Sequence, residues 1–227
     1  MGRTAAFFDL DGTICSGQSW KGLPEYCLAK EINLRIYYSF FFSHIGLWLL
    51  SKAKIISENT LISRWVKDMA ILTKNLPKDK AMDMFNWVAE KHVLGRLREQ
   101  VINELRWHQE QGHLVILVSG TFKEILDIVG QNLEIKHIVG TKLKMMRGHY
   151  TGKLEGDFCF GEAKGKMLYE YLSSLGEEID MASSYSYTDR FYDLPMLEMT
   201  GNPVAVYPDD RLRAYVKTKG WRIIEEL

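Results

Sequence analysis

Two aspartates, Asp9 and Asp11, stand two residues apart just after the apolar run Ala5-Ala6-Phe7-Phe8, and Gly12 and Thr13 follow them. Alternate residues of an extended strand face the same side. Both carboxylates can therefore point into one pocket at the carboxyl end of a strand, where open α/β sheets place their ligand crevices. Two carboxylates that close repel unless a cation joins them or one holds a proton. The pair asks for a hard metal ion, or for a division of labour between base and acid. A calcium loop is not the match, because it needs a third oxygen ligand before its glycine and Leu10-Asp11-Gly12 offers none.

Three further segments carry polar residues where strands end or helices begin. Ser119-Gly120-Thr121 closes the aliphatic run Leu114-Val115-Ile116-Leu117-Val118, Lys164 opens a helical pattern, and Asp189 and Asp193 follow a small, tyrosine-bearing stretch. Each has a plain structural alternative. Asp9 and Asp11 suit a strand-end turn, Ser119 a helix cap, Lys164 a solvated surface, and Asp189 and Asp193 the cap of a short helix. Ser119 is not a serine-hydrolase elbow, since Leu117 stands where that turn requires glycine. In a parallel sheet all the carboxyl ends lie along one edge, so these distant segments can converge.

The hydrophobic pattern supplies elements to position them. Residues 5–10 predict a first strand. Residues 16–105 show no convincing alternation; Ile62, Trp65, Val66 and Met69 recur at helical spacing, as do Ala81, Met84, Phe85 and Val88 after Pro77. The run 114–118 is the mark of a strand buried on both faces. Ile125, Leu126, Ile128 and Val129 predict a helix over 121–130, with Ser119 and Gly120 at its start. A strand near 137–139, a hairpin around Arg147-Gly148 and Thr151-Gly152, and a helix over 163–175 closed by Gly176 come next. A strand over 182–188, a short helix over 193–199, a strand at 204–206 and a helix over 212–219 complete the order. Strands alternating with helices predict an α/β fold, a Rossmann-like parallel sheet with helices on both faces. The expected division is a core from 1–15 and 106–227, with an inserted helical-bundle cap at 16–105.

Composition narrows the class. The 227 residues hold 29 basic and 29 acidic side chains, which argues against a nucleic-acid partner bound through bulk charge. Cys15, Cys27 and Cys159 form no CxxC pair and no disulfide framework. With no leader-like pattern before the first strand, a cytoplasmic location is expected. Residues 36–50 are unusually apolar but contain Ser39, Ser43, His44 and Gly46, with Arg35 before them and Lys52 and Lys54 after. Three readings stay open there: a buried helix of the cap, a peripheral contact with the inner membrane face or an acyl chain, and a membrane span.

Taken in order, Asp9-Leu10-Asp11-Gly12-Thr13, Ser119-Gly120-Thr121, Lys164 and Asp189-Arg190-Phe191-Tyr192-Asp193-Leu194-Pro195 resemble the four motifs of the haloacid-dehalogenase-like hydrolase superfamily. The resemblance covers nearly the whole chain. It is nearest to the phosphoserine-phosphatase-like branch, whose helical cap lies between the first and second motifs. It implies a Mg²⁺-dependent phosphatase that hydrolyses a small-molecule phosphate monoester through an aspartyl-phosphate. Asp9 would be the nucleophile. Asp11 would protonate the leaving group and then deprotonate water. Ser119 and the Gly120 amide would hold phosphate oxygens, and Lys164 would neutralise phosphoryl charge. Asp9, Asp189 and the main-chain carbonyl of Asp11 would face the metal, with Asp193 and Thr13 in support.

The departures bear on the substrate. Arg190 follows Asp189 where serine is common, and Tyr192 precedes Asp193 where a small or amide residue is common. Nine residues past Asp9, where phosphoserine phosphatases carry a glutamate that reads the substrate ammonium, stands Gln18. With Trp20, Tyr26 and the apolar 36–50 segment, this points to a larger, more apolar or lipid-like leaving group, with Arg190 reading a second anionic group. Two other functions stay open: a phosphotransferase or mutase sharing the intermediate, and a module that docks on a membrane or partner.

Overall fold

The computed structural model describes residues 2–225. Its strands are β1 (Ala5–Phe8), β2 (Leu114–Phe122), β3 (His137–Thr141), β4 (Leu143–Met146), β5 (His149–Leu154), β6 (Tyr185–Thr188), β7 (Asn202–Val206) and β8 (Arg222–Ile224). Its helices are α1 (Gly22–Ala29), α2 (Leu34–Lys52), α3 (Glu58–Asp68), α4 (Lys78–Val88), α5 (Glu99–Glu110), α6 (Lys123–Asn132), α7 (Glu162–Ser174), α8 (Leu194–Glu198) and α9 (Asp210–Lys219).

Six strands form one sheet in the order β3-β2-β1-β6-β7-β8, every pair parallel. Strand β1 and residues 114–118 of β2 are apolar throughout because both faces are covered. Ala6, Phe8, Val115 and Leu117 pack with Leu105 of α5 and Leu126 of α6. Ala5, Phe7, Ile116 and Val118 pack on the other face with Leu168 and Leu172 of α7 and Met196 of α8. The expected α/β architecture is therefore present.

Helices α1 to α4 make the inserted helical region. Leu23, Cys27, Met84, Phe85 and Val88 join the same apolar cluster as the first sheet face. The chain leaves and re-enters the core through two paired linkers. Ser16 N donates to Arg96 O at 2.9 Å, Arg98 N donates to Ile14 O at 2.9 Å, and Cys15 bridges Leu97. Helix α5 buries Val101, Ile102 and Leu105 and packs on β2. The β4–β5 hairpin turns at Arg147-Gly148, both at positive φ (51° and 79°), the combination a two-residue hairpin turn favours. It binds the cap, with Asn75 N donating to Tyr150 O at 2.8 Å and Tyr150 N to Leu76 O at 2.9 Å.

Several expectations need correction. Strand β2 runs on through Ser119-Gly120-Thr121 to Phe122, so α6 starts at Lys123 and not beside Gly120. Pairing with β3 resumes at Phe122–Thr141 after a register shift, and Thr141 Oγ1 donates to Gly120 O at 2.8 Å. Strand β6 begins at Tyr185 because Asp180 turns the chain before it, accepting from Ala182 N at 3.0 Å. The edge strand β8 is too short to show a pattern. Helix α2 buries Phe40 and His44, while much of its apolar remainder stays exposed. No helix among the described residues is long and apolar enough to cross a membrane.

Candidate active site

Strand order reverses at the β1–β6 boundary: β2 and β3 lie to one side of β1, and β6, β7 and β8 to the other. Such a switch point opens a crevice at the carboxyl ends of the strands. Asp9 leaves β1 there, Asp189 leaves β6, and Ser119 lies near the end of β2. Three stretches far apart in the chain thus meet at one edge.

Asp9 is buried, and its oxygens are divided between two donors. Lys164 Nζ donates to Oδ1 at 2.8 Å, and Thr13 Oγ1 donates to Oδ2 at 3.3 Å. Lys164, in the first turn of α7, also donates to Asp193 Oδ2 at 2.5 Å. Burial alone would depress its ammonium, but Asp193 and Asp9 outweigh that and hold it firmly protonated. Gly12 is glycine for two reasons: its φ is +88°, and a Cβ there would sit 2.2 Å from Asp189 Oδ2.

Asp11 turns to other partners. The backbone N–H of Ser19 donates to Oδ1 at 2.8 Å, Ser19 Oγ donates to Oδ2 at 2.7 Å, and Thr121 Oγ1 reaches Oδ2 at 3.4 Å. Burial pushes the Asp11 carboxyl up to about 6, with nearby Asp9 adding to the rise and the Ser19 and Thr121 donors holding it back. A carboxyl titrating there can carry a proton near neutrality and also give it up.

Asp189 and Asp193 complete the acidic group. Arg190 Nε pairs with Asp189 Oδ2 at 2.8 Å, and Thr188 Oγ1 donates to Asp193 Oδ2 at 3.1 Å. The other oxygens, Asp189 Oδ1 and Asp193 Oδ1, are buried with no hydrogen-bond partner. Burial and then Asp9 raise Asp189 well above the usual carboxylate range, against the pull of Arg190. Asp193 is pushed up to about 6, chiefly by burial, with Lys164 opposing and Asp9 adding. Four carboxylates (Asp9, Asp11, Asp189, Asp193) thus meet two cations (Lys164, Arg190), an excess of two negative charges if all ionise. Among the described residues no three acidic, His or Cys side chains form a ready-made ligand cluster. The side chains present nonetheless suit a hard divalent ion: the carboxylates of Asp9 and Asp189, the latter with an orphaned buried oxygen, and uncompensated charge.

Ser119 and Gly120 line the cleft beside Asp9 and Asp11 from within β2. Thr121 N donates to Ser119 Oγ at 3.3 Å, and a Cβ on Gly120 would lie 3.2 Å from Cys159 O. Amides at the irregular end of β2 therefore stand where a helix N-terminus was expected. The cleft holds about 460 Å³, with Trp20, Ile62, Val66, Phe158, Phe160 and Tyr192 among its apolar walls. Arg190 and Arg211 add positive charge, the latter stacked 3.8 Å over the Phe191 ring. Sequence reasoning missed Ser19, Phe158, Phe160 and Arg211. Ser19 reaches Asp11 only because a single 3₁₀ turn, Ser19–Lys21, folds it back, and no spacing rule announces that.

The chain is similar to known proteins along most of its length. The sequence profile described as haloacid dehalogenase-like hydrolase matches residues 6–198. A probable phosphatase of Mycobacterium tuberculosis is 27% identical over 223 residues, covering 98% of this chain and 75% of the relative. A Bordetella pertussis protein of unknown function superposes with a TM-score of 0.81 at 20% identity, covering 99% of each chain. A phosphoserine phosphatase solved as a phospho-aspartyl intermediate analogue superposes with a TM-score of 0.66 at 17% identity, covering 100% of this chain and 95% of that one.

Proposed function

The chain belongs to the haloacid dehalogenase-like hydrolase family, and from that premise we propose that it is a phosphatase that hydrolyses a phosphate monoester through an aspartyl-phosphate on Asp9. The observation that carries this reading is the Lys164 bridge. One buried ammonium bridges Asp9 Oδ1 and Asp193 Oδ2, which fixes the Asp9 carboxylate group beside the cleft. The M. tuberculosis relative's description as a probable phosphatase supports it. The phospho-aspartyl analogue in a protein of the same fold supports the nucleophile.

Asp9 attacks phosphorus while Asp11 gives its proton to the departing alkoxide. Asp11 then takes a proton from water as the water attacks the acyl-phosphate, releasing phosphate and restoring Asp9. Ser119 Oγ and the Gly120 amide steady the phosphoryl oxygens, and Lys164 offsets their charge. Asp9, Asp189 and the Asp11 carbonyl would hold Mg²⁺, which when bound offsets charge on the phosphoryl group. The leaving group is apolar or aromatic: Trp20, Phe158 and Phe160 form its walls, and Gln18 cannot pair with an ammonium as a carboxylate would.

The test is hydrolysis of an aryl phosphate with Mg²⁺. Activity is expected to vanish in Asp9→Asn and on chelation, with the circular dichroism of the variant unchanged. Full activity in Asp9→Asn would refute the reading. A long-chain alkyl phosphate is expected to be turned over at least about tenfold better than phosphoserine, a difference of about 1.4 kcal/mol in transition-state binding; the reverse order would refute the apolar leaving group.

A further inference from the structure

Helix α2 is apolar on two opposite sides. Its inner side buries Phe40 and His44 against α3, where Phe40 meets the Trp65 ring edge-on at 5.6 Å and His44 Nε2 lies 3.2 Å from Asp68 Oδ2. Its outer side carries Tyr38, Phe41, Phe42, Ile45, Trp48 and Leu49 at spacings of three and four residues. All six are exposed, between 37% and 66%. A stripe from residue 38 to 49 is about 16 Å long at the helical rise. Isolated exposed apolar residues are ordinary; six in one continuous stripe mark a surface that meets something.

The charges around the stripe say what it meets. Arg35 precedes it, Lys52 and Lys54 follow it, and no acidic residue lies between 32 and 57 in a chain whose total charge is zero. All three cations are exposed, and Lys52 Nζ lies 5.8 Å from the Trp48 ring centre. Cations at the ends of an apolar stripe, with Trp and Tyr within it, fit the boundary between acyl chains and anionic headgroups. A second copy of the chain fits worse. Antiparallel pairing of two α2 helices sets Arg35 of one against Lys52 of the other, and parallel pairing sets like against like.

We infer that α2 is an interfacial anchor that lays its Tyr38–Leu49 stripe onto an anionic lipid bilayer. The stripe enters the acyl boundary in the plane of the membrane, and Arg35, Lys52 and Lys54 contact lipid phosphates. One consequence concerns the substrate and rests on the phosphatase reading. Helix α3 is the wall shared by α2 and the catalytic cleft, with Ile62 and Val66 facing the cleft and Ser57 at its mouth. An anchored molecule holds that mouth near the membrane surface, where a lipid-like phosphate monoester is found.

Binding is measured without turnover, so it stands or falls apart from the catalytic reading. The full chain is floated with phosphatidylglycerol–phosphatidylcholine vesicles and with phosphatidylcholine vesicles. Binding to the mixed vesicles is expected to be at least about tenfold stronger and to weaken with salt. Two triple variants keep the inner face of α2 intact: Phe42→Ser with Trp48→Ser and Leu49→Ser, and Arg35→Glu with Lys52→Glu and Lys54→Glu. Each is expected to lose at least about tenfold in vesicle binding while retaining its melting temperature and aryl phosphatase rate. Absence of binding to the mixed vesicles, or equal binding by the serine variant, overturns the inference. So does a wild-type dimer that fails to bind vesicles and becomes monomeric in the serine variant, which would assign the stripe to a second copy.

Discussion

Asp9 and Asp11 are the same residue type two positions apart, yet their neighbours differ. Asp9 faces a buried ammonium at 2.8 Å, whereas Asp11 has only neutral donors from Ser19 and Thr121 and is pushed up to about 6 by burial. In the proposed reaction the first carboxylate attacks and the second carries protons. Asp11→Asn is therefore expected to lower kcat by about 10²–10⁴, and an aryl phosphate should give a burst of phenol before slow turnover, read by rapid quench. Unchanged steady-state turnover would contradict the assignment. Lys164→Met removes the cation that Asp9 and Asp193 share in the interior. Breaking a buried pair in this way is expected to cost about 3–5 kcal/mol of stability, measured by urea unfolding at pH 7.

At the scale of elements, the position of a side chain depends on what covers each strand and turn. Helix α5 is tied to the sheet through a polar chain that runs from the interior to the surface. His108 Nδ1 meets His113 Nδ1 at 2.8 Å, His108 Nε2 meets Tyr187 OH at 2.9 Å, Tyr187 OH donates to Glu104, and Arg222 pairs with Glu104. Burial, aided by His113, pushes the His108 imidazole down to about 4. An unfolded imidazole titrates near 6.5, so between about 6.5 and 4 the unfolded chain binds a proton that the folded chain refuses. Stability is thus complete above that window and falls as pH drops through it, by up to about 3 kcal/mol. Urea unfolding at pH 7 and pH 5 should show the loss, and His108→Gln should remove most of it. Strands β1 and β2 were legible because burial on both faces leaves unbroken apolar runs, and α4 because a one-sided core leaves Ala81, Met84, Phe85 and Val88 in phase. The end of β2 was not legible. Thr121 and Phe122 suit either a strand or a helix start, and only the partner Thr141 on β3 decides between them.

For the whole molecule, sheet topology does most of the positioning. Alternating strands and helices foretold a parallel sheet, and the order β3-β2-β1-β6-β7-β8 then brings Asp9, Ser119 and Asp189 to one edge although up to 180 residues separate them. The motifs could be read because Asp9, Ser119 and Asp189 sit at or near strand ends and Lys164 opens a helix, and both places have a sequence mark. The walls of the cleft could not, because Phe158, Phe160, Ile62 and Arg211 come from loops and helices whose meeting depends on how the cap settles on the core. For residues 36–50 the sequence left a buried helix, a peripheral membrane contact and a span all open, because apolar residues all round a helix do not say which side the packing leaves bare. The measurement closest to the central claim is chemical. The protein is mixed with Mg²⁺ and a phosphate ester carrying radiolabelled phosphorus, quenched in acid, reduced with borohydride and mapped by peptide. The expected result is label in the N-terminal peptide before reduction and homoserine at Asp9 after it. Label on another residue, or turnover of the ester with no label trapped at any time, would contradict the account.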